Sequence, residues 1–142
     1  MDYQRQSNCI YHCHYHLVLV TKYRRKIFNE GVHGYMQESF AEVAEYYPDI
    51  HILEMNHDED HVHMLLSVPP KYSIGQIVRI LKQQSARKLK AKFEFIRRTY
   101  WGGGGIWSDS YFVSTVGADE DTIKRYIELQ GKEDSGQASL GL

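Results

Sequence analysis

Two apolar periods alternate along this chain, and the switches between them divide it into elements. From Tyr11 to Tyr23 the side chains alternate and then close into Leu17-Val18-Leu19-Val20-Thr21, a β-branched run that predicts a central strand. Between Glu30 and Tyr47 the apolar positions Met36, Phe40, Val43, Ala44 and Tyr47 recur every three or four residues, which predicts an amphipathic helix stopped by Pro48. Strands follow at Ile50 to Asn56 and His61 to Val68, joined by the polar turn His57-Asp58-Glu59-Asp60 and closed by Pro69-Pro70.

Ser73 with Gln76 three positions on forms a capping box, and Ile74, Ile77, Val78, Leu81 and Leu89 give the next helix, continuing to Phe95, one apolar face. Gly102 to Gly105 favour neither helix nor strand and predict a loop. Ile106-Trp107 and Tyr111 to Val116 read as a further strand pair. Gly117 then breaks the chain ahead of Asp119-Glu120-Asp121, acids suited to the positive end of a helix that runs to about Gln130, with Gly131 as its C-terminal cap. The order β-α-β-β-α-β-α predicts an α+β sandwich: a ferredoxin-like or RRM-like antiparallel sheet with helices packed on one face, plus a C-terminal helix bearing Tyr126. One domain over residues 1–131 and a flexible tail over 132–142 complete the expected organisation.

Charge changes this picture more than composition does. The hydrophobic share of 42% and charged share of 25% are those of an ordinary globular chain. No apolar run approaches the roughly 20 residues of a membrane helix. The N-terminus lacks the apolar stretch of a signal peptide, and two cysteines make no disulfide framework, so a cytoplasmic protein is expected. A net charge of -1 argues against a polyanionic partner until its distribution is considered. Arg79, Lys82, Arg87, Lys88, Lys90, Lys92, Arg97 and Arg98 fall in one window with the single acid Glu94, and Lys22-Tyr23-Arg24-Arg25-Lys26 sets an aromatic among cations. Such segregation attracts phosphates locally. Lys22, Arg24, Arg25, Lys82, Arg87, Lys88 and Lys90 are therefore the candidate contacts to a polyanion, against the plainer reading of a solvated helix face.

Chemistry centres on His61-Val62-His63. On a strand, residues two apart share a face, so both imidazoles project together and suit one divalent metal; the same triplet also reads as two half-buried, hydrogen-bonded histidines. On the last helix Tyr126 and Gln130, four apart, stack on one face beside the apolar row of Ile123 and Ile127. Cys9, His12, Cys13, His14 and His16 invite a zinc reading but lack paired Cys-x-x-Cys spacing, and on a strand the histidines and Cys13 diverge. His16 is the member expected beside the site.

Four ordered segments, His16 to Arg25, His61 to Pro70, Trp107 to Gly117 and Tyr126 to Gln130, together resemble the single-tyrosine transposases of the IS200/IS605 family, a group of HUH endonucleases. Leu19 stands where the family typically has an aromatic. The resemblance implies that Tyr126 is the nucleophile, that His61, His63 and Gln130 hold Mg2+ or Mn2+, and that attack on single-stranded DNA leaves a 5'-phosphotyrosine and a free 3' hydroxyl. It implies hairpins at the element ends as the recognised DNA. It further implies a homodimer whose sheets join and whose tyrosine helices complete each other's sites, with Gly117 and the glycine loop letting that helix change partners. Two readings compete: a non-catalytic RRM-like nucleic-acid binder, for which the four site residues would be needless, and a metal-dependent phosphoesterase that uses water.

Overall fold

The protein, seen here as a computed structural model, is described over residues 3–6, 9–115 and 120–136. Its main sheet has four antiparallel strands, β3 (His14–Val20), β4 (His51–His57), β5 (His61–Ser67) and β6 (Phe112–Ser114), in the order β4-β5-β3-β6. A separate hairpin of β1 (Gln4–Gln6) and β2 (Cys9–Tyr11) precedes it. β3 and β5 lie at the centre and are more apolar than the edge strand β4, as strands covered on both faces tend to be. The edge strand β4 alternates toward solvent and carries an irregularity between Ile52 and Glu54, a common way of blunting an exposed edge.

Register decides which residues share a face. Leu17 pairs with Met64 and Leu19 with Val62, and these fully buried side chains meet α1 (Glu30–Tyr46) and α2 (Ile74–Lys92) through Met36, Phe40, Ile77, Val78 and Leu81. On the other face Val18 pairs with His63 and Val20 with His61. There the only covering helix among the described residues is α4 (Glu120–Asp134), whose Ile127 closes a small second cluster with Val18 and Val20. The expected sandwich is thus present, with two helices on one side of the sheet and the tyrosine helix on the histidine side.

Helix starts follow the sequence. Asn29 Oδ1 accepts the Val32 N–H at 2.9 Å to begin α1. At α2, Ser73 Oγ accepts from Gln76 N at 3.1 Å while Gln76 Oε1 accepts from Ser73 N at 3.0 Å, the reciprocal box that the spacing predicts. Ser73→Ala is expected to cost about 1 kcal/mol, read as a lower urea midpoint at unchanged slope; an unmoved midpoint would mean the exposed cap contributes nothing.

Several boundaries differ from the sequence reading. The first long strand begins at His14, because Tyr11 closes the small hairpin, and it gives way at Lys22–Arg24 to a 3-10 turn. The second helix stops at Lys92 instead of reaching Phe95: Phe93 is extended, and α3 (Glu94–Thr99) starts anew. Ile106-Trp107 forms one bridge, Trp107 to Thr21, and no strand. The last strand spans Phe112–Ser114 within the longer run read from sequence, and Val116, Gly117 and Asp119 lie outside the described residues. Gly131 caps nothing; α4 runs through it to Asp134.

Candidate active site

The floor of the site is the face of β3 and β5 opposite the main core. His16, Val18 and Val20 of β3 lie there with His61 and His63 of β5. Asp60 anchors the first of these ligand candidates: His61 Nδ1 lies 2.9 Å from Asp60 Oδ1, and a carboxylate can only accept, so Nδ1 carries a proton and Nε2 is the nitrogen left to face a ligand. Asp60 Oδ2 in turn accepts from Arg24 Nε at 3.1 Å. The hydrogen bond from His61, with that from Arg24, holds the Asp60 carboxyl below its ordinary pKa despite burial. His63 Nε2 lies 3.4 Å from His16 Nδ1. Burial first, then neighbouring His16 and His61, lower the pKa of His63 and keep it neutral near pH 7, the form in which imidazole binds a metal.

An open cleft of about 590 Å³ lies over His61 and His63. Arg24, Lys26 and Asp60 line one side, and Ile123, Lys124, Ile127 and Glu128 of α4 line the other.

Tyr126 and Gln130 occupy a different row of α4. The Tyr126 ring packs on Phe112, with centroids 5.6 Å apart, and its Oη lies 2.9 Å from Ser110 Oγ. Ser110 Oγ also donates to Gln130 Oε1 at 2.9 Å. Because that carbonyl oxygen only accepts, the one Ser110 proton is spent there, and the Tyr126 hydroxyl must donate to Ser110. Gln130 is 1% exposed and passes the chain on, Nε2 donating to Asp134 Oδ1 at 3.3 Å. Asp134 Oδ2 accepts from Ser108 Oγ and, at 3.0 Å, from the Tyr23 N–H. Lys82 Nζ braces the whole loop by donating to the carbonyls of Ser108 and Ser110 at 2.7 and 2.9 Å. Burial, with a further contribution from Asp134, pushes the Tyr126 phenol up to about 12.

The four residues singled out from sequence therefore stand as two pairs. The fold brings His61 to His63 and Tyr126 to Gln130, but within one copy the tyrosine and glutamine are committed to Ser110 and do not line the histidine cleft. His16 does sit beside the pair, as expected. Of the basic candidates only Arg24 lines that cleft. Lys82 is the internal brace, Lys88 pairs with Glu42, Arg87 donates to Gln84, Lys90 donates to the Gly104 carbonyl, and Lys22 and Arg25 flank Arg24 in the turn. Trp107, 5% exposed, spends its indole N–H on Ser85, whereas Trp101 is 84% exposed. Of the N-terminal Cys/His set, the rings of His12 and His14 lie 3.9 Å apart and tilted, and among the described residues no three His, Cys, Asp or Glu side chains converge to hold an ion. Sequence reasoning passed over Asp60, whose only signal was adjacency to His61, and Ser110 and Asp134, which gave none.

Comparison with known proteins identifies the family and the fold. Residues 9–130 match the family model described as transposase, IS200-like. The transposase of insertion sequence element IS200 from Salmonella typhimurium is 33% identical over 141 residues, 99% of this chain and 91% of that protein. The ISDra2 transposase TnpA of Deinococcus radiodurans is 29% identical over 131 residues, 92% of each. Among solved structures, a chain described as a transposase from Deinococcus radiodurans superposes with a TM-score of 0.76 at 29% identity, covering 89% of this chain and 97% of that one. A REP-associated tyrosine transposase bound to a REP hairpin shares the fold, with a TM-score of 0.55 at 13% identity over 97% of this chain and 76% of that one.

Proposed function

The chain belongs to the IS200-like transposase family, and from that premise we propose that it cuts and rejoins single-stranded DNA at insertion-sequence ends, with Tyr126 as the nucleophile. The observation that carries the reading is the floor of the cleft: two imidazoles side by side on a central strand, one of them oriented by Asp60, beneath the helix that bears Tyr126. Neither a pure binder nor a plain packing motif requires that set.

In the proposed reaction the Tyr126 oxygen attacks the scissile phosphorus and the P–O3' bond breaks. The phenol proton is lost, the departing 3' oxygen gains one, and the 5' phosphate is left esterified to the enzyme. A phosphotyrosine ester is close in energy to the diester it replaces, so a 3' hydroxyl from another strand reverses the step without ATP. The donor set fits a hard divalent ion: His61 offers Nε2, His63 is held neutral, and the amide oxygen of Gln130 is a third donor once it leaves Ser110. Bound there, Mg2+ or Mn2+ would supply charge stabilisation at the phosphate oxygens.

Because Tyr126 and Gln130 do not meet the histidines of their own copy, we take the functional unit to be a homodimer in which each tyrosine helix serves the partner's cleft. The hairpin bound by the REP-associated relative supports a folded hairpin next to the cut strand as the recognised DNA. With DNA as the substrate, we take the reaction to occur in the cytoplasm. Among the described residues no helix is long and apolar enough to cross a membrane.

The test is incubation with labelled single-stranded DNA of the element end, with Mg2+ or with EDTA, followed by a denaturing gel. A metal-dependent covalent protein–DNA band is expected. Free cleaved strand without an adduct would replace the reading by a water-using phosphoesterase, and binding without cleavage would replace it by a binding module.

A further inference from the structure

The turn after β3 holds two consecutive non-glycine residues in the left-handed region, Tyr23 (φ 59°, ψ 20°) and Arg24 (φ 52°). L-residues with a Cβ visit that region sparsely, and a turn free of other demands places glycine or asparagine there. Strain of this kind persists only where the surroundings over-determine it. Here they do. Thr21 Oγ1 donates to Arg25 O at 2.8 Å, Tyr100 Oη donates to Lys22 O at 2.7 Å, and the Tyr23 N–H is held by Asp134 at 3.0 Å. All this anchoring leaves Tyr23 47% exposed. A ring that packed into the core would need no such explanation; one displayed outward by a strained, tightly tied turn does.

The ring is also placed where a strand would pass. A second open groove, lined by Tyr23, Arg24, Lys26, Gly131 and Lys132, shares Arg24, Lys26, Asp60 and Glu128 with the cleft over His61 and His63, so the two are continuous. Asp60 is already matched by Arg24, and Glu59, which lines only the cleft, by Lys26. Lys132 stands further along, and Lys22 Nζ lies 5.9 Å from the Tyr23 ring centroid. A flat aromatic surface bordered by cations is the recognition element for an unpaired base and its phosphate.

Resting on the proposed function, we infer that Tyr23 is a stacking platform for an unpaired base of the single strand that runs from the His61–His63 cleft along the groove toward Lys132. Stacking is sequence-tolerant, so the platform positions the strand and leaves sequence choice to other contacts.

The experiment is fluorescence anisotropy of labelled oligo(dT) of about 20 nucleotides, long enough to span such a groove, and of the same strand with abasic residues, against the full chain and its Tyr23 variants. Tyr23→Ala is expected to weaken oligo(dT) binding about tenfold, and Tyr23→Phe, which keeps the ring, to stay within about twofold. The salt slope should not change, because no charge is removed. On the abasic strand, wild type and Tyr23→Ala should bind alike. Equal losses on both strands would show a folding or phosphate effect and overturn the inference, as would unchanged binding of Tyr23→Ala or a Phe variant as weak as the Ala one. Failure of the underlying reading is separable: ring-dependent binding with no covalent adduct on the element end keeps the platform and removes the cleavage chemistry, whereas adduct formation with Tyr23-independent binding removes the platform alone.

Discussion

Tyr126→Phe is expected to abolish the covalent protein–DNA band and to lower cleavage by roughly 10^4-fold or more, the scale on which deleting a nucleophile acts. The substitution removes one oxygen and leaves the ring that packs on Phe112, so α4 keeps its seat over Val18 and Val20. Its structural cost is confined to Ser110, whose Oγ loses a donor but still donates to Gln130, about 1 kcal/mol of stability at most. Affinity for uncut strand should stay within about twofold, since the phenol contributes no charge to phosphate binding. This separation makes the variant decisive. A variant that still cleaves and leaves no adduct would mean that water is the nucleophile. The wild-type phenol, pushed up to about 12 where it rests, is almost wholly protonated at neutral pH. Burial and the nearby Asp134 raise its pKa, so leaving that buried seat and approaching a cation are the changes that would lower it.

The histidine half of the site was legible in the sequence because strand periodicity is rigid. Once β5 is a strand, residues 61 and 63 must share a face, and antiparallel register with β3 puts them beside Val18 and Val20, opposite the main core. The pairing of Tyr126 with Gln130 was legible for the analogous reason on a helix. What neither period encodes is where that helix row points. Its partners, Ser110 and Asp134, come from a loop and from the helix end, and only tertiary packing brings them together.

Gly131 shows how a local rule fails when packing supersedes it. A glycine after a helical run predicts a C-terminal cap. What packs here instead is Arg24: its Cγ and Cδ occupy the space a Cβ at 131 would take, so a larger residue would have to displace that side chain. The helix continues past it, with Asp134 accepting bonds from Gln130, Ser108 and Tyr23. Lys82 is the parallel case for charge. Composition placed it among phosphate-binding cations, but its ammonium is half buried and its hydrogen bonds go to two loop carbonyls, with burial lowering its pKa.

The separation of the two pairs within one copy makes a complementation experiment the strongest test of how the site is assembled. His61→Ala/His63→Ala is expected to be inactive alone, since it removes both imidazoles from the cleft floor and leaves α4 untouched. Tyr126→Phe is expected to be inactive for the reason already given. If each tyrosine helix serves the partner's cleft, a heterodimer of the two variants has one cleft in which intact histidines meet an intact tyrosine and one in which both halves are missing. With free exchange, about half the dimers in an equal mixture are heterodimers, so about one quarter of wild-type cleavage should return. The covalent adduct should form only on the chain that carries the His→Ala substitutions, because that chain supplies the tyrosine. Distinguishable tags on the two variants read this directly. If the helix instead swings into its own cleft, every cleft in the mixture lacks one half and no activity returns. That result would leave Tyr126 as nucleophile and overturn the shared site, and it would then require α4 to rotate its Tyr126 row away from Ser110 toward the His61 side of the same sheet.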